Sequence, residues 1–239
     1  KVLNLTLRDV KIDVSDTGGD NFEFEDDQIG KAALSVEGKG NVEIELDGNN
    51  ELKSGASKAG LEKTSTGKLT LKDDNNEAGS LTATGGASAA GIGGGFQGKG
   101  ENITITGGTV DATGGYGSAG IGGGNGGVGK NITITGGTVT AAGGFGNAGI
   151  GGGNGSDGEN ITITGGSVTA TGGEFAAGIG GSNGGSGNNI TIKGGTVTAT
   201  GGGYRGNSGA GIGGGSSGSG ENITINDGKV TATGGNSAA

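Results

Sequence analysis

From residue 101 onward the chain alternates apolar and polar residues in short bursts. Ile103 and Ile105 stand between Asn102, Thr104 and Thr106, and Val110 and Ala112 stand between Thr109, Asp111 and Thr113. A period of two marks a strand with one buried face. A third burst sets one large apolar residue among glycines, at Ile121, Ile150, Ile179 and Ile212. The whole pattern then repeats. Asn102-Ile-Thr-Ile-Thr returns at Asn131, Asn160, Asn189 and Asn222, at spacings of 29, 29, 29 and 33 residues. Three strands per repeat predict one turn of an all-β, single-stranded, three-sided parallel β-helix, in which equivalent strands of successive turns pair about 4.8 Å apart.

The same three slots extend toward the N-terminus in altered residues. Leu69-Thr-Leu71, Leu81-Thr-Ala-Thr and Ala90-Gly-Ile-Gly-Gly-Gly fill one turn. Val42-Glu-Ile-Glu-Leu46, Glu51-Leu-Lys and Ala59-Gly-Leu61-Glu fill the turn before, and Ala33-Leu34-Ser-Val36 precedes them. Leu34, Leu61 and Ile92 are thus expected to begin the column that Ile121 continues. Seven to eight turns are expected, a solenoid of about 35 Å. Three regions follow: 1–40, an N-terminal cap and first turn; 41–100, divergent turns; and 101–239, regular repeats. Residues 1–99 carry 17 of the 24 acidic and 11 of the 15 basic residues, the charged and irregular composition that protects a solenoid end. The last residues stop where Ala-Gly-Ile-Gly-Gly-Gly is due, and Lys1-Val2-Leu3 has neither an initiating Met nor signal-peptide character, so the natural chain is expected to continue beyond this piece.

Composition narrows the chemistry. Only 28% of residues are hydrophobic, so the core must be thin, and 67 glycines demand a regular hydrogen-bond ladder to offset their ordering entropy. No Pro is present, which excludes collagen. With no Cys and no His, disulfides, thiolate nucleophiles, imidazole bases and the usual zinc sites are excluded. A net charge of −9 disfavours nucleic acid and anionic membrane, and no apolar run reaches the ~20 residues of a membrane span.

Several features are candidates for function. Tyr116, Phe145, Phe175 and Tyr204 all fall between the second and third segments, which predicts an aromatic column along one corner. Such a column would stack on sugar rings or fold over its own loops. Thr104, Thr133, Thr162, Thr191 and Thr224 should form an outward ladder, with Thr109, Thr138, Ser167 and Thr196 starting a second. Regular hydroxyl and methyl arrays bind ice, but Thr is also simply a good solvent-facing strand residue, and Asp111, Lys193, Asn226 and Lys229 interrupt the rows. Asp26 and Asp27, in an acidic run, and Asp73, Asp74 and Glu77 in another offer oxygen ligands for calcium if they converge, and no other cofactor is implied. Near-identical turns leave no unique cleft for catalysis. A polysaccharide-cleaving enzyme would need a calcium site beside a basic residue such as Lys193 or Arg205. The Gly-rich strings lack the helix start of a phosphate loop, and the Asn-Ile-Thr triplets are what an Ile/Thr strand after an Asn turn must contain.

Asp47-Gly-Asn-Asn, Lys58-Ala-Gly-Leu, Gly67-Lys-Leu-Thr-Leu, Gly79-Ser-Leu-Thr-Ala-Thr-Gly-Gly and the repeated Ala-Gly-Ile-Gly-Gly-Gly carry a resemblance. The chain resembles the glycine-rich right-handed parallel β-helix regions of large bacterial cell-surface proteins, adhesin-like or carbohydrate-binding, over nearly all of its length after about residue 30. The resemblance implies a right-handed coil, an extracellular location, and a non-catalytic stalk and adhesive surface with polysaccharide or cell-surface glycan as partner. Ice binding, a polysaccharide lyase or hydrolase, and a plain spacer stand as alternatives.

Overall fold

The computed structural model describes residues 1–19, 29–75 and 78–236. Among them every regular element is a strand, and no helix is long and apolar enough to cross a membrane.

The chain winds through three faces per turn. The first face stacks Val2–Arg8, the start of Asn41–Lys53, Leu69–Lys72, Gly100–Ile105, Gly129–Ile134, Gly158–Ile163 and the start of Gly187–Thr200, all parallel. The second stacks Lys11–Asp13, the end of Asn41–Lys53, Gly79–Thr84, Thr109–Thr113, Thr138–Ala142, Ser167–Thr171 and the end of Gly187–Thr200. Thr224–Thr233 continues both faces beyond Gly187–Thr200. The third face is a seven-stranded ladder of short strands from Leu34–Val36 to Ile212–Gly213. This is the expected three-sided parallel solenoid, of about seven turns.

Identical residues stack on identical residues. Ile103 pairs with Ile132 and Ile132 with Ile161 on the first face, and Val110 pairs with Val139 on the second. On the third face Leu34, Leu61, Ile92, Ile121, Ile150, Ile179 and Ile212 form one column, so the register expected for the divergent turns is the one observed. From Ile44 to Ala199 these inward side chains are essentially fully buried. Each buried Ile contributes about 1.5–3 kcal/mol, which is how a chain with so few apolar residues holds together.

Two corner devices close each turn. Ahead of the first-face isoleucines, Asn102, Asn131, Asn160, Asn189 and Asn222 all take the left-handed conformation, with φ between 52° and 57°. Their side-chain amides form a chain: Asn131 Nδ2 donates to Asn102 Oδ1 at 3.0 Å, and Asn160, Asn189 and Asn222 each repeat the bond at 3.1 Å. Asn tolerates this backbone and lends an amide that both donates and accepts, so one residue solves the bend and the stacking together. On the third face the glycine after each Ile has φ near +135°, and a Cβ placed on Gly151 would lie 2.1 Å from the Gly180 carbonyl oxygen. Only glycine fits there.

Residues 1–40 supply strands to all three faces. Arg8 Nη2 donates to Asp47 Oδ2 at 2.8 Å across the first two turns, and Asn75 donates to Asp47 Oδ1 at 2.7 Å. These two donors, Arg8 foremost, hold the Asp47 carboxyl below its ordinary value of 3.8.

Candidate functional site

The corner between the second and third faces is a loop of two glycines and a short variable patch in each regular turn. Because turns stack in register, the patch residues stack as well, and the four expected aromatic residues meet. Tyr116 and Phe145 lie parallel, 5.5 Å between ring centroids and 7° between planes. Phe145 and Phe175 meet edge to face at 5.9 Å, as do Phe175 and Tyr204. The Arg205 guanidinium sits 4.9 Å from the Tyr204 ring centroid, in cation–π range. The row spans four turns, and three of its rings are open to solvent: Tyr116 is 53% exposed, Phe145 46% and Tyr204 40%, while Phe175 is half-buried. The rings also cover one another, so mutual packing and an open outer surface coexist.

Thr104, Thr133, Thr162 and Thr191 do form a ladder in register on the first face, but they are half-buried, and Thr224 alone is exposed. The second face is the more open one. Its outward positions run as parallel columns, Thr109, Thr138, Ser167 and Thr196 beside Asp111, Thr140, Thr169 and Thr198, every one of them exposed.

The acidic candidates divide. Asp73 Oδ2 accepts from the Gly79 amide at 3.2 Å, and Asp74 pairs with Lys72 at 3.1 Å while its own amide donates to Glu45 Oε1 at 2.9 Å. Asp73 thus closes its own loop, and Asp74 ties that loop to the preceding turn. Glu77, Asp26 and Asp27 lie outside the described residues. Among the described residues no three acidic, His or Cys side chains gather closely enough to hold a metal ion.

The beta helix repeat model matches residues 77–96, 103–125, 132–154, 161–186, 190–216 and 223–239, more than half of the chain. The chain belongs to the beta helix repeat family. No curated protein and no solved structure matches it.

Where the divergent turn before the first matched segment of the beta helix repeat meets the next turn, the structure departs from the expectation of a surface without a cleft. A notch of about 330 Å³ opens at the corner between the third and first faces, lined by Lys63, Thr64, Ser65, Thr66, Gly95, Gly98, Lys99 and Glu101. Identical turns would close this corner, but Lys63 stands where the repeat has glycine, one residue past the Glu62–Gly93 pair. That lysine in a glycine slot was the available signal in the sequence. The asparagine amide chain was also not anticipated, although its residues head every repeat.

Proposed function

We propose that this chain is a non-catalytic extracellular β-helix module, a surface stalk and adhesive that engages polysaccharide along its aromatic corner. The observation that carries this reading is a continuous four-ring row in which Tyr116, Phe145 and Tyr204 are exposed and Phe175 is half-buried between them. A row that served only to seal glycine-rich loops would gain most by burying its rings, whereas contiguous exposed aromatic surface marks a binding site. Each turn offers one ring and a few neighbouring polar groups, each a weak contact. A polymer lying along the solenoid engages several turns at once, so affinity should rise with ligand length. The test is binding to soluble and insoluble polysaccharides, with and without calcium, by the protein and by a variant with Tyr116, Phe145, Phe175 and Tyr204 all changed to Ala. Length-dependent binding reduced at least about tenfold in the variant supports the reading. Absence of binding to every glycan, or binding indifferent to the four substitutions, removes it.

A second reading, ice binding, draws on the second face rather than the first. Its exposed columns, Thr apart from Asp111 and Ser167, repeat about 4.8 Å along the solenoid and about 6.6 Å along each strand, a regular array rich in hydroxyls and methyls. Thermal hysteresis that vanishes in Thr169→Lys would favour ice; none at all leaves the glycan reading alone.

A further inference from the structure

Lys63 ends the third-face strand Leu61–Lys63, and its ammonium is tucked beneath the loop that follows, donating to the Ser65 carbonyl oxygen at 2.7 Å. The residue is only 3% exposed. An ammonium carries three donors, and the Ser65 carbonyl is the one acceptor it reaches among the described residues. Ser65 lines the same notch at 7% exposure, and its hydroxyl is buried with no hydrogen-bond partner. Lys99 stands at the rim, 3.7 Å from Glu101. Two ammoniums against one carboxylate leave the notch one positive charge in excess. Leaving a buried polar group unsatisfied is unfavourable, so two side chains with spare donors at one concavity suit an acceptor that the protein itself does not provide.

We propose that this notch is a binding site for a small carboxylate monoanion, which accepts hydrogen bonds from the Lys63 ammonium and the Ser65 hydroxyl while Lys99 closes over it. The volume lies within the ~300–1,000 Å³ usual for small-molecule sites. A phosphate dianion fits the charge less well, because Glu101 would repel its second charge. Burial pushes the Lys63 amine below its ordinary value while Glu101 pulls it the other way; a carboxylate in the notch adds a second negative neighbour and restores the charged form. This site is at a different corner from the aromatic row and does not depend on it. Two sources of carboxylate share this chemistry, the uronic acids of acidic polysaccharides and the C-terminus of a peptide.

The test follows the backbone amide signals of the ¹⁵N-labelled protein during titration with sodium glucuronate, with N-acetylglycinate, and with neutral methyl glucoside as control. Saturable shifts confined to residues 63–66 and 95–101, given by the carboxylates and not by the glucoside, are the expected result. The tighter of the two carboxylates assigns the source. Lys63→Met, which keeps the apolar stem, should abolish the response. Ser65→Ala guards against misfolding, since deleting an unpartnered hydroxyl leaves stability unchanged or improved; it should nevertheless weaken binding about five- to tenfold. The variant lacking all four aromatic rings should titrate like the parent, which separates this site from the polysaccharide reading. No saturable shift with either carboxylate, or unchanged affinity in Ser65→Ala, overturns the proposal.

Discussion

The turns before residue 100 and those after it build the same three faces by different means. In the early turns side-chain contacts, each used once, add to the backbone ladder: Arg8 with Asp47 and Lys72 with Glu45 at 3.4 Å link neighbouring turns, Lys58 with Glu62 at 3.1 Å braces a single turn, and the Asn50 amide donates to the carbonyls of Asp47 and Ser80 at 3.0 Å. The core there uses large leucines such as Leu46, Leu52, Leu61, Leu69 and Leu71. In the later turns the asparagine chain repeats at each step, beside close glycine contacts that both parts share, and the core is Ile, Val and Ala. Lys130 with Glu159 at 2.8 Å is an ion pair made within this later part. When consecutive turns have one shape, a single contact between equivalent residues can be reused indefinitely. Once the shape changes, every joint needs its own solution, and concavities such as the Lys63 notch are left between unlike turns.

The comparison breaks most severely at the shared core. Ile150→Asp places a charge without a partner in the third-face column and should cost more than about 4 kcal/mol, melting the adjacent turns; full retention of the melting temperature would contradict the three-sided packing. Next comes the glycine stack. Gly151→Ala meets the Gly180 carbonyl oxygen and should cost about 2–4 kcal/mol, whereas Gly126→Ala, with φ of 78° but nothing within 4 Å, should cost only about 1 kcal/mol. Equal losses in the two denaturation curves would mean that backbone strain, not close approach, governs the stack. Asn160→Gly keeps the left-handed bend and deletes two links of the amide chain, for an expected loss of about 1 kcal/mol by chemical denaturation. The smallest effect is local and depends on acid. Because the folded-state value of Asp47 is depressed, its contribution is complete above pH 3.8 and is lost as the pH falls through the lower folded value. Amide hydrogen exchange should then quicken in Val2–Arg8 while the later turns, joined by uncharged asparagine amides, keep their protection.

Period-two alternation and internal repetition were enough to read the strands, their faces and the column through Leu34, Leu61 and Ile92, because burial of one strand face leaves its mark in composition at every second residue. The meeting of Tyr116, Phe145, Phe175 and Tyr204 was legible for the same reason, since a fixed repeat length forces equivalent loops to stack. Ring orientation was not, for it depends on packing within each loop. Thr104 and its equivalents were readable as outward-pointing, yet not as half-buried, because alternation assigns a face without telling how far neighbouring side chains rise around it. The asparagine amides were seen as turn residues in isolation; their bonds to one another exist only between turns. Lys63 leaves no such mark, because repetition points to what recurs and the significance of this lysine lies in failing to recur.

The hydrogen bonds between equivalent strands run along the solenoid, while the chain itself runs around it. Tension applied at the two ends therefore does not shear a strand against its neighbour across many bonds at once, but peels one coil from the next. Each released repeat of 29 residues pays out about 100 Å of extended chain before the following coil is loaded. Stretched between its ends in a force-extension measurement, such a molecule is expected to yield coil by coil, lengthening severalfold while its remaining coils stay wound.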